Sequence, residues 1–192
     1  MQLTGGIESG SDFTVCGYYG PLHVSGGIDA PGKTMKFIIN GRHANVKTSR
    51  LAGTVDCSLV VSNYYTAAVA IMEMSGNSPN PANSFTVLGC TNRLTAAAYW
   101  GGTNIVVRRA ETIIPAHLIL NGENNLNPEA TLSLADGGTV EVASDKKVCI
   151  AHLVTDGESR RNGIYTSANL PGYILGSGRI QVGVAGLTIL FR

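Results

Sequence analysis

Apolar and polar residues alternate along most of this chain in short runs. Met35, Phe37 and Ile39 fall on one side of a strand over 33–40, with Lys36 on the other. Val55, Cys57, Leu59 and Val61 do the same over 54–62. A period of two marks extended backbone with one buried face. Similar runs predict strands over 84–90, 104–109, 112–120, 131–134, 139–142 and 147–154, and Pro115 marks 112–120 as an edge strand or a bulge. The stretch 63–74 mixes helix-favouring Ala67, Ala68 and Ala70 with strand-favouring Tyr64, Tyr65 and Val69. A strand is expected there, because 76–81 then loops into the next one. Residues 94–100 read as a short helix stopped by Gly101-Gly102. At the C-terminus Ile180, Val182 and Val184 give way to Leu187, Ile189 and Phe191. That change of parity predicts a bulge near Ala185-Gly186, or a strand buried on both faces.

Turn signals separate these runs. Glycine often comes in pairs, as in Gly5-Gly6, Gly26-Gly27, Gly101-Gly102 and Gly137-Gly138. Asp136-Gly137-Gly138 between two alternating runs predicts a β-hairpin. No long repeat stands out. The expected fold is all-β: an antiparallel sandwich, jelly-roll-like or a barrel. Residues 1–32, rich in Gly and Pro with one strand over 13–19, read as an irregular N-terminal arm. Residues 33–192 read as a single β domain.

Charge changes this picture. Charged residues are 14% of the chain, against about 25% in an average protein. A surface this poor in charge points to coverage by partners or by copies of the chain. The charges are also sorted. Lys33, Lys36, Arg42, Lys47 and Arg50 lie in one stretch without an acid; Glu111, Glu123, Glu129, Asp136, Glu141 and Asp145 lie in another without a Lys or Arg. Complementary blocks predict head-to-tail joining of copies, or packing of the two halves of one chain. A formal charge of +1 argues against a general nucleic-acid binder. The uncharged, largely apolar stretch 57–72 contains Asn63 and two tyrosines and makes a poor membrane span. The first residues lack the basic and apolar regions of an export signal.

Candidate chemistry is sparse. Cys16, Cys57, Cys90 and Cys149 have no metal-ligand spacing and sit in apolar, strand-like settings, so buried free thiols are expected. His117 and His152 alternate with aliphatic residues and read as core or interface histidines. Paired carboxylates for acid–base work would have to come from distant segments. Tyr99-Trp100 places one ring in and one out, and an outward Trp100 would anchor a partner or a sugar.

The expectation is a non-enzymatic structural subunit without catalytic residue, cofactor or metal. It would assemble with copies of itself and with a capsid or other assembly protein, as a virion decoration or minor coat or tail protein built in the host cytoplasm. The alternatives are a secreted pilus-type subunit or adhesin joined by strand donation at the extracellular surface, and a carbohydrate-binding β module. The candidate interface comprises the charged blocks, Trp100, and the terminal Leu187, Ile189 and Phe191.

Overall fold

The computed structural model describes residues 2–17, 21–39, 47–63, 70–110 and 114–183. The chain winds as a β-solenoid. Each coil places one strand in sheet A and one in sheet B, and the next coil lays its strands alongside in parallel register. Sheet A has eight strands: Gln2–Leu3, His23–Val24, Lys47–Leu51, Ala70–Met74, Thr91–Leu94, His117–Leu120, Thr139–Val142 and Ile174–Leu175. Sheet B runs from Ile7–Glu8 and Phe13–Gly17 through Ile28–Ile39, Val55–Asn63, Ser84–Leu88, Asn104–Arg108 and Thr131–Ala135 to His152–Thr155 and Glu158–Ser159. A short third side is built by Asn77–Ser78 beside Tyr99–Trp100, and farther along by Lys147–Ile150 beside Arg179–Val182.

The core is a set of ladders, in which one inward residue per coil stacks on its counterpart in the next. In sheet B one ladder is Met35, Leu59, Phe85, Ile105, Leu132 and Leu153, and another is Phe37, Val61, Val87, Val107 and Leu134. All are fully buried. In sheet A the facing ladder is Ser49, Met72, Asn92, Leu118, Val140 and Ile174. Each buried Leu, Ile, Val or Phe contributes about 1.5–3 kcal/mol, so continuous ladders dominate the stability.

The all-β class agrees with the sequence; the arrangement does not. In place of an antiparallel sandwich, jelly roll or barrel, nearly every pairing is parallel. Most parallel sheets have both faces covered and read as continuous apolar runs. Here only the inner face is covered, so each strand alternates as an antiparallel strand would. The repeat is also real, though irregular: hydrogen bonds between neighbouring coils join residues from 20 apart, as Asp136 and Asp156, to 36 apart, as Val142 and Gly178. Corners of unequal length hide that period.

Corner glycines mark it instead. A Cβ on Gly76 would lie 1.8 Å from the carbonyl oxygen of Gly53, and Gly53 itself has φ of +78°. Coils approach too closely there for any side chain. Asp136-Gly137 is likewise a corner rather than a hairpin, since Thr131–Ala135 lies in sheet B and Thr139–Val142 in sheet A. The helix expected over 94–100 is replaced by a turn between the strands Thr91–Leu94 and Tyr99–Trp100. The run 147–154 is two strands on different sides, broken at Ala151. Within 1–32, short strands pair into both sheets, and Ile28–Ile39 runs across position 32. The C-terminal parity change lies outside the described residues.

Candidate functional site

Outward residues also form ladders, and these carry the polar chemistry. On sheet A, Arg50, Glu73 and Arg93 stack on three successive coils. The Arg50 Nε lies 3.3 Å from Glu73 Oε1, and Arg93 Nη1 lies 3.7 Å from Glu73 Oε2. Ion pairs this exposed are worth about 0–1 kcal/mol. On the next coil, His117 Nδ1 lies 2.7 Å from Thr139 Oγ1 and Nε2 lies 3.1 Å from Glu141 Oε2. A hydroxyl, an imidazole and a carboxylate in a row resemble a nucleophile–base–acid relay. Register already forces His117 beside Thr139, however, and the Thr139 hydroxyl also reaches the carbonyl of Ala116 at 3.4 Å. The trio ties the sixth coil to the seventh. His117 is therefore an outward ladder residue and not a core histidine. His152 is exposed too, because the corner at Ala151 resets its parity.

A second polar group lies at the N-terminal end. Glu8, Asp29 and Asp56 occupy one register position on three successive coils. Neighbouring strands lie about 4.8 Å apart, so the carboxylates stand in a row. They border a groove of about 360 Å³ that Gly26, Gly27 and Thr54 help to line. Asp56 Oδ1 accepts hydrogen bonds from Asn80 Nδ2 at 2.8 Å and Asn83 Nδ2 at 3.2 Å. Distant carboxylates do come together, then, but sequence reasoning did not name them. The signal was there: Gly6-Ile7-Glu8, Gly27-Ile28-Asp29 and Thr54-Val55-Asp56 repeat one corner pattern. No group of three or more His, Cys, Asp or Glu among the described residues is arranged to hold a metal ion.

The predicted interface residues do not form one patch. Lys36 and Arg50 are exposed and Lys33 is half-buried in the second and third coils. Glu123, Glu129 and Asp136 are exposed, and Glu141 half-buried, around the sixth and seventh coils. Arg50 pairs with Glu73, which belongs to neither block. Lys47 begins a strand of sheet A. Arg42, Glu111, Leu187, Ile189 and Phe191 lie outside the described residues. Trp100 corrects an expectation: it points inward, is fully buried and packs on Phe85 with ring centroids 4.8 Å apart. Tyr99 is the outer member of that pair.

No disulfide joins the four cysteines. Burial pushes the Cys57 thiol up to about 11 and the Cys90 thiol up to about 12, so both pack as neutral small hydrophobes. Cys16 is exposed and Cys149 half-buried, against the expectation that all four are buried.

The two ends of the stack differ. At the N-terminal end, inward-facing Leu3, Ile7, Phe13 and Val15 are only half-buried, because no described coil lies beyond them. At the other end the chain folds back on itself. Glu158–Ser159 runs antiparallel to His152–Thr155, and Gly163–Tyr165 runs antiparallel to Arg179–Val182. Tyr165, Leu170 and Tyr173 pack against the core there, and the Tyr173 hydroxyl donates to Asp156 Oδ2. Two large apolar residues remain exposed at this end, Ile164 at 52% and Leu175 at 39%.

Comparison with family models, with curated proteins and with solved structures finds no match to this chain.

Proposed function

We propose that this chain is a non-enzymatic structural subunit that works by joining copies of itself into a larger particle. The observation that carries the reading is the open first coil. Among the described residues no strand pairs with its outer edge, and its inward Leu3, Ile7, Phe13 and Val15 are only half-covered. Such an edge is a template for further β-pairing. The low charge of the chain and its exposed Ile164 and Leu175 support the same reading. A virion surface, where many weak contacts add up by avidity, is the setting we favour.

Sedimentation velocity over a wide concentration range tests this. Oligomers that grow with concentration are the expected result. A strictly monomeric species up to millimolar concentration, with a melting temperature independent of concentration, sinks the proposal.

A further inference from the structure

We infer that copies of this chain join head to tail, with the open N-terminal coil of one seated on the folded-back C-terminal end of the next. This rests on the structural reading above and names its surface, polarity and partner.

Charge carries the first argument. Residues 2–36 contain Glu8, Asp12 and Asp29 against Lys33 and Lys36, and Lys33 lines a groove together with Glu8 and Asp29. All three acids are exposed. Residues 156–183 contain Arg160, Arg161 and Arg179 against two acids, Asp156 and Glu158. Arg160 is already engaged, with Glu158 at 3.8 Å and with Thr155 Oγ1 at 2.6 Å. Arg161 and Arg179 are exposed and make no ion pair among the described residues. The N-terminal end is therefore net negative, with three acids to two bases, and the C-terminal end net positive, with three bases to two acids. Meeting negative end to negative end would set Glu8 and Asp29 against their own copies, which like-charge repulsion disfavours.

Apolar surface carries the second argument. The large exposed apolar residues Ile164 and Leu175 both lie on outermost strands of the C-terminal end. Leu3, Ile7, Phe13 and Val15 stand half-covered at the N-terminal end. Each end offers an apolar centre, and the net charges beside the two centres are opposite in sign.

A contact between unlike ends is heterologous and does not close on itself unless the rotation forms a ring. Mass should therefore keep rising with concentration past the dimer.

Two double variants test the pairing. E8K/D29K makes the N-terminal end positive, and R161E/R179E makes the C-terminal end negative. Each should stay monomeric at concentrations where the natural chain assembles, and melt at the temperature of the natural chain diluted to its monomer, which shows that it folds. Mixed at equal amounts, they should recover assembly at least tenfold above either alone, because each restores the sign its partner lost. Variants that assemble as the natural chain does, or a mixture of folded variants that stays monomeric, overturn the head-to-tail pairing and leave self-association standing. A natural chain that stops at a dimer also overturns the polarity. A natural chain that never associates overturns both.

Discussion

The inner faces of the two sheets are built to different rules. Sheet B stacks hydrocarbon on hydrocarbon from Met35 to Leu153. Sheet A interrupts its ladder twice, with Ser49 and with Asn92. Ser49 is satisfied, since its Oγ accepts from the Leu22 N–H at 3.2 Å. Asn92 is fully buried between Met72 and Leu118, and neither its Oδ1 nor its Nδ2 has a partner. A polar side chain in a ladder therefore helps or harms according to whether its neighbours complete it, and sequence position alone does not show which.

The largest effect should come from breaking the hydrocarbon side. Phe85→Ala removes a ring stacked between Leu59 and Ile105 and packed on Trp100, and should cost about 3–5 kcal/mol in chemical denaturation. A loss below about 1 kcal/mol would mean that the coils re-pack freely and the ladder picture is wrong. Asn92→Val replaces the unpartnered amide with a similar volume of hydrocarbon and should stabilise by about 1–3 kcal/mol. A lower denaturation midpoint would show instead that the amide has a use. Ser49→Ala, in the same ladder, should act with the opposite sign, costing about 1 kcal/mol by stranding the Leu22 N–H. Equal responses at 49 and 92 would erase the distinction drawn between them.

The smallest effect appears only in alkali. Cys57 and Cys90 have folded-state values of about 11 and about 12, above the ordinary value of 9.0. A thiol whose folded value is raised adds stability that is present below the unfolded value and is lost as pH climbs toward the folded one. Stability should hold level up to about pH 9 and fall between there and pH 11–12. Cys90→Ala should flatten part of that fall. An alkaline limb unchanged by the substitution would assign the loss to other groups.

The strands were legible in the sequence because burial of one face writes itself as alternation. Met35, Phe37, Val55, Cys57, Leu59 and Val61 all point inward as their parity predicts. Direction was not legible, since a one-sided parallel sheet and a one-sided antiparallel sheet write the same pattern. The two Asp-Gly turns show why. Asp136-Gly137 has φ of 50° and 77°, and Asp156-Gly157 has 48° and 84°. The first turns a corner into sheet A, while the second makes a hairpin onto Glu158–Ser159. Identical local chemistry gives two outcomes, because the neighbouring coil decides. Gly138 follows the first, and its Cβ would meet the Val107 carbonyl oxygen at 2.0 Å. The carboxylate row was hidden for the same reason: Glu8, Asp29 and Asp56 become neighbours only once the coils are in register.

Pairing between adjacent coils alone also fixes how the molecule responds to tension. Sheet strands bond to the coil before and the coil after, at separations such as 20 and 36 residues. Pulled by its two ends, such a chain would not rupture as a block. It would peel, each detached coil freeing roughly 70–125 Å of contour at about 3.5 Å per residue. The force trace would be a sawtooth of unequal teeth, their spacing set by the unequal corners, and the hairpin at Asp156-Gly157 would make the C-terminal side start differently from the N-terminal side.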